Sequence, residues 1–184
     1  MNLGQSMMVI VAMSLLGFLA LSANSSVMES SEISDDSEFG VTSVSLATSL
    51  IQEAMAKDFD RVVTANGNIS DSSAFTPPGS LGRDGSERYR NPVNDFNDFD
   101  DFNNLFLVYT SPLDPMPEPL ADSTIIVPGI RARYYVHAKI EYVRGEDLNA
   151  GWPSPTWNKR IVVSVTRPLA KDTIRIPAVM SYWN

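Results

Sequence analysis

Aspartate is concentrated in one short stretch of the sequence, NPVNDFNDFDDFNNL at residues 91–105. Its oxygen-bearing side chains are Asp95, Asp98, Asp100 and Asp101, together with Asn94, Asn97, Asn103 and Asn104. Ca²⁺ takes about six to eight oxygen ligands, often from a loop of this composition. The spacing lacks the regular aspartates, the glycine and the distal glutamate of an EF-hand. The four aspartates are therefore candidate calcium ligands, and the alternative is a solvated, turn-rich loop.

Phenylalanines alternate with these acidic residues. They are Phe96, Phe99, Phe102 and Phe106. Because aromatic rings are usually buried and carboxylates usually exposed, we expect the rings to hold the segment against a core while the carboxylates face water.

Residues suited to catalysis are few. The single histidine, His137, falls on the polar face of a predicted strand, and no nucleophile or metalloenzyme motif accompanies it. The sequence has no cysteine, which excludes disulfides, a thiolate nucleophile and sulfur-bound zinc. We predict that the protein is not an enzyme and that calcium is the only candidate cofactor.

The charge distribution argues against nucleic acid as a partner. The formal net charge is −8, and residues 1–60 hold eight acids against one base, Lys57. The remaining 124 residues carry fourteen acids and thirteen bases. Neither part contains the clustered lysine and arginine that nucleic-acid binding usually needs.

An uncharged apolar run, MMVIVAMSLLGFLALSA, covers residues 7–23. Extended to Val27 it gives about 20 residues, or about 30 Å of helix, enough to cross a bilayer. A cleaved signal, a buried core helix and a retained anchor are the alternatives. The sequence before the run has no basic residue, which disfavours a secretory signal, and we favour the anchor. The large apolar side chains expected to mediate anchoring and assembly are Met7, Met8, Val9, Ile10, Val11, Leu15, Leu16, Phe18, Leu19 and Leu21.

A polar, acidic stretch follows, and helical periodicity then returns. Residues 24–40 are rich in serine and acids, which predicts a partly melted or bendable neck, and Gly40 either begins a second helix or bends a longer one. The predicted apolar stripe consists of Val44, Ala47, Leu50, Ile51, Ala54 and Met55, with Ser43, Ser49, Gln52, Glu53 and Lys57 opposite. The predicted organisation is an anchor at 1–28, a neck at 29–40 and a head at 41–184.

The rest of the head alternates loops and strands. Residues 61–90 and 111–120 are rich in glycine and proline and predict surface loops. Alternation over 131–143 predicts a long strand whose buried face carries Tyr134, Val136 and Ile140. Residues 159–166 and 173–176 with Val179 predict two more strands, and 123–127 a short one. The predicted fold class is α+β, with an amphipathic helix packed on an antiparallel sheet.

Several of these segments resemble type IV pilins and pseudopilins, and in particular minor pilins of the pilus-modification type. Gly4-Gln5 before the apolar run is similar to the prepilin pattern, in which a peptidase cuts after glycine. ATSLIQEAMAKDFD at 47–60 resembles the amphipathic half of the long pilin helix, and 91–105 resembles a segment preceding the pilin strands. The family usually has glutamate at the fifth position after the cut, where this chain has Val9, which cannot pair with a neighbour's terminal amine.

The resemblance implies a filament subunit. Its partners would be further copies of the chain or related pilins, the membrane, and a prepilin peptidase cutting between Gly4 and Gln5. It implies location in the inner membrane before assembly and in a periplasmic or extracellular filament afterwards. The alternative is a single-pass, membrane-anchored binding protein outside the cytoplasm that never polymerises.

Overall fold

The computed structural model describes residues 3–114, 118–168 and 172–183. The chain forms two compact units, Met1–Thr42 and Ser43–Asn184. Helix α1 (Leu3–Met55) runs from the first unit into the second, without a separate helix beginning at Gly40. The stretch 24–40 is helical throughout. That it melts in part or bends as a neck stays a prediction.

The second unit contains the rest of the secondary structure. A short helix α2 (Arg61–Asn66) and 3₁₀ turns at Ser72–Ala74, Pro78–Ser80 and Asp100–Phe102 interrupt the loops. The strands are β1 (Phe106–Thr110), β2 (Ser123–Ile126), β3 (Tyr134–Arg144), β4 (Asp147–Gly151), β5 (Asn158–Thr166) and β6 (Ile174–Ser181). The fold class is α+β, as predicted.

The strands form one sheet in the order β2-β1-β3-β5-β6, with β4 paired to β3. All pairs are antiparallel except β1 with β2, which run parallel. Strand β1 was not predicted, because its sequence FLVYT is buried on both faces and lacks alternation. Strand β4 lies between the two strands predicted at 131–143 and 159–166 and was not predicted. Of the proline-rich stretch 111–120, residues 115–117 lie outside the described residues.

The two central strands bury the predicted face. Tyr134, Val136, Ala138, Ile140 and Tyr142 alternate with more exposed residues along β3. Ile161, Val163 and Val165 are fully buried on β5, where they lie opposite Ile140, Ala138 and Val136. Lys159 follows the same alternation and is equally buried, a position that we did not predict.

The buried stripe of α1 differs from the predicted one at its ends. Ala47, Leu50, Ile51 and Ala54 are buried, as expected. Val44 and Met55 are 47% and 38% exposed, whereas Ser43, predicted to lie opposite, is fully buried. The buried positions recur at three- and four-residue steps, at Ser43, Ala47, Leu50 and Ala54. The buried face of the helix is therefore narrower than the predicted stripe and is rotated toward small side chains.

A charge on this stripe should unfold the head. Leu50 is 1% exposed, whereas Gln52 lies on the exposed side of the same helix. Truncating a buried leucine costs about 2–5 kcal/mol, and Leu50→Asp adds the desolvation of a carboxylate. We expect Leu50→Asp to abolish the cooperative thermal transition of fragment 41–184, measured by circular dichroism. Gln52→Asp, the matched control, should melt close to the parent, and equal melting of both variants would show that the face is wrongly assigned.

The acidic stretch of α1 is expected to be the least stable part of this helix. Glycine costs about 1 kcal/mol relative to alanine within a helix, and a Cβ at Gly40 meets no atom within 4 Å. Gly40→Ala should therefore slow amide hydrogen exchange around residue 40, whereas Ala20→Gly should speed exchange around residue 20. If residues 24–40 of the parent already exchange as slowly as residues 7–23, the stretch is not a neck.

Candidate functional site

The N-terminal half of α1 presents apolar side chains to its surroundings on every side. The helix contains an 18-residue window with a mean hydropathy of 2.2, none of which is buried. The large apolar residues predicted to mediate assembly are all 49% or more exposed; they are Met7, Met8, Val9, Ile10, Val11, Leu15, Leu16, Phe18, Leu19 and Leu21. Because the apolar positions are consecutive, the surface encircles the helix and does not form a stripe.

Two hydroxyl groups in the N-terminal half of α1 bond within the helix. The Ser14 hydroxyl donates to the Ile10 carbonyl at 2.9 Å, and the Ser25 hydroxyl donates to the Leu21 carbonyl at 3.0 Å. Hydroxyls bonded in this way can enter an apolar environment without leaving an unpaired donor. By length and composition the helix is able to cross a membrane. Gly4 and Gln5, the candidate processing site, lie in its first turn.

A second notable site is a buried charge cluster in the head, formed by Asp60, Asp98, Asp100, Asp101 and Lys159. Asp60 precedes α2, the next three lie in or before the last 3₁₀ turn, and Lys159 lies on β5. Each is at most 2% exposed. The prediction that the carboxylates of the acidic segment face water is therefore wrong for all but Asp95. The buried positions of Phe96, Phe99 and Phe102 confirm the ring contacts, and Phe106 is half-buried.

Lys159 is at the centre of the cluster. Its Nζ lies 2.8 Å from Asp60 Oδ2, 2.6 Å from Asp100 Oδ1 and 2.8 Å from the carbonyl oxygen of Phe59. These three acceptors match the three donors of an ammonium group. The rings of Phe59 and Tyr142 lie 4.6 Å and 5.3 Å from Nζ. The lysine is enclosed by carboxylates, a carbonyl and aromatic faces.

Asp60 is held as a carboxylate. Its oxygens accept hydrogen bonds from the backbone N–H of Val62 and from the N–H and hydroxyl of Thr76, at 3.0–3.1 Å. Burial raises the pKa of Asp60, but the charge of Lys159 and these hydrogen bonds outweigh it, so the net effect lowers the pKa.

The aspartates of the last 3₁₀ turn behave in the opposite way. Burial, followed by the nearby Asp100 and Asp101, raises the pKa of Asp98 to about 9. Burial also raises the pKa of Asp100, although Lys159 opposes the shift, and raises that of Asp101 to about 6. Asp98 Oδ1 accepts the backbone N–H groups of Asp100 and Asp101 at 2.9 and 3.2 Å. Because its pKa of about 9 lies above neutral pH, Asp98 is protonated at neutral pH.

The four candidate calcium ligands are not directed at one point. Asp95 is exposed, pairs with Lys57 at 3.3 Å and accepts the backbone N–H of Arg90. Asp100 faces Lys159, and Asp98 and Asp101 accept backbone N–H groups. Within the described residues, no group of three or more His, Cys, Asp or Glu side chains is arranged to hold a metal ion. Calcium binding stays a prediction that this arrangement does not support.

Sequence reasoning missed Lys159 and Asp60 as parts of this cluster. The alternation of KRIVVSVT already places Lys159 in phase with Ile161, Val163 and Val165. A lysine in a buried phase requires acidic partners, so this signal was readable. His137 lies on the exposed face of β3, as predicted, and its ring stacks on Phe106 with 4.2 Å between centroids.

Comparison of the chain with protein-family models, curated proteins and solved structures finds no match.

The protonation of Asp98 predicts a pH dependence of stability. Its pKa is about 9 in the folded head and 3.8 in an unfolded chain. Folding therefore favours the protonated form, and this contribution is complete below pH about 4 and is lost as the pH rises through about 9. The free energy of unfolding of fragment 41–184 should fall between pH about 7 and about 9, as followed by urea denaturation.

Two variants isolate this effect. Asp98→Asn keeps an oxygen that can accept the two backbone N–H groups but cannot ionise, so its stability should change less over the same pH range. Asp95→Asn replaces an exposed aspartate and should retain the decline of the parent. An equal decline in Asp98→Asn and the parent would show that Asp98 does not titrate in this range.

Proposed function

We propose that the protein is a structural subunit of a type IV pilus-like or pseudopilus filament, anchored and assembled through its N-terminal helix. The observation that carries the proposal is the exposed apolar surface of α1 between Met7 and Leu21. Water disfavours an apolar surface of this size, so the helix requires either lipid or other apolar helices around it.

The length of α1 supports a role beyond anchoring. The part of α1 within the first unit, residues 3–42, spans about 60 Å, whereas a bilayer core needs only about 30 Å. The acidic residues beyond Met28 would then lie outside the bilayer core. An apolar half for lipid or a filament core, followed by an α+β head, is the layout that the resemblance to pilins implies.

Val9 affects how assembly would work. The family's glutamate at this position pairs with a neighbour's terminal amine, whereas Val9 is apolar and 49% exposed. Assembly of this chain would therefore depend on apolar packing between helices rather than on a charge pair. We expect filament stability to depend weakly on salt, because screening weakens charge pairs but not apolar contacts.

A charge in the apolar surface tests the proposal. Leu16 lies near the middle of the run and is 71% exposed. Arginine at this depth costs about 2.5–3.5 kcal/mol on insertion scales. Leu16→Arg should reduce sedimentation with membranes and remove filaments seen by electron microscopy, whereas Leu16→Met should behave as the parent does. Parent-like sedimentation and filaments in Leu16→Arg would refute the proposed role of the helix.

The mature N-terminus separates the two candidate functions. A chain that begins at Gln5, as seen by mass spectrometry, supports a processed pilin. An intact Met1 together with membrane association but no filaments supports the single-pass anchored binding protein instead.

A further inference from the structure

We propose that Lys159 and Asp100 condense to an intramolecular amide, a covalent cross-link between strand β5 and the 3₁₀ turn that precedes β1. The cross-link lies within the head and does not depend on the proposed filament. The buried charge cluster would then be a modification site whose only reactants are side chains of this chain.

The geometry places the reacting groups in contact. Lys159 Nζ lies 2.6 Å from Asp100 Oδ1, and the two side chains are 0% and 2% exposed. Holding two reactants in this way is equivalent to effective concentrations of about 10⁵–10⁸ M. The rings of Phe59 and Tyr142 flank the amine at 4.6 and 5.3 Å. Exclusion of water by these rings favours loss of water over the reverse hydrolysis.

The surrounding carboxyl groups supply the required proton transfers. Asp60 Oδ2 lies 2.8 Å from Nζ on the other side of the lysine and can accept its proton. Asp98 lies beside Asp100, whose backbone N–H it binds at 2.9 Å, and the two carboxyl groups interact. Burial keeps Asp98 protonated, so it can donate a proton to an oxygen of Asp100.

The reaction balances without any other reactant. Lys159 transfers a proton to Asp60, and the neutral amine attacks Cγ of Asp100, forming the C–N bond. Asp98 protonates the departing oxygen, the C–O bond breaks, and one water molecule leaves. The second amine proton completes this water, which leaves Asp98 ionised and Asp60 protonated. The net change is one carboxylate and one ammonium converted to one amide and one water, with no oxidation or reduction.

Asp100, rather than Asp60, is the electrophile. Asp60 accepts hydrogen bonds from Val62, Thr76 and Lys159 and is held as a carboxylate, which amines attack poorly. Asp100 is contacted by Lys159 and lies beside the proton of Asp98, so its carbonyl carbon is the more electrophilic of the two.

The cross-link would close a loop that contains β1 to β4. Asp100 and Lys159 are 59 residues apart in sequence. Closing a loop of this length restricts the unfolded chain and joins the central β5 to the segment that leads into β1. A head cross-linked in this way resists mechanical unfolding.

Mass spectrometry of the purified full chain tests the proposal. We expect an intact mass lower by one water molecule, and a tryptic digest with one branched peptide that joins the segment containing Asp100 to that containing Lys159. Lys159→Arg keeps the charge but removes the amine, so this variant should have the full mass of its own sequence, with no water lost. A folded parent with the full sequence mass and free Lys159 would overturn the proposal.

Two further variants test the roles of the aspartates. Asp100→Asn should lose ammonia instead of water, because its leaving group is the amide nitrogen. Loss of water in this variant would identify Asp60 as the electrophile and overturn the assignment to Asp100.

Asp98→Asn keeps the backbone contacts but not the acidic proton, so cross-linking after synthesis should be on the order of 100-fold slower. An unchanged rate would overturn the role of Asp98. The parent mass decides the proposal even if a variant fails to fold.

Discussion

The head depends on how it accommodates the charge of Lys159. A buried ion costs several kcal/mol unless its partners are in place and its donors are satisfied. Here the three acceptors belong to Phe59, Asp60 and Asp100, which are 59 to 100 residues away along the chain. Because all three must be present together, the segment after α1, the turn before β1 and strand β5 can be stable only as a set.

The same interaction organises loops that are otherwise irregular. Asp60 binds Lys159 and also accepts the N–H and hydroxyl of Thr76, so the proline- and glycine-rich stretch is held to the sheet. The hydroxyl of Tyr142 donates to the carbonyl of Thr76 at 2.8 Å. Tyr142 lies opposite Lys159 in the β3–β5 register, so one rung of the sheet positions the whole arrangement. Removing one partner would leave the others buried and unpaired.

The N-terminal half of α1 obeys a different constraint. Its backbone groups bond within the helix, and the hydroxyls of Ser14 and Ser25 bond to carbonyls of the preceding turn. Its internal hydrogen bonds stabilise the helix, but they do not make its apolar surface soluble in water. An apolar surface of this size is unfavourable in water, which is why we propose a role in association. The head, by contrast, buries its own core and even its own charges.

The sequence alone determined the features that arise from local periodicity. The apolar run, the stripe through Ala47, Leu50 and Ala54, and the alternation of β3 and β5 each follow from side-chain spacing along one element. Tertiary structure decided which carboxylates are buried and what they bind. Asp98 and Asp100 looked like solvated or calcium-binding residues because nothing near them in sequence carries a positive charge. Their cation, Lys159, reaches them only through the strand register, and long-range pairing of this kind is not encoded in local spacing. Strand β1 was missed for a related reason, since a strand covered on both faces loses its alternation and only its neighbours in the sheet identify it.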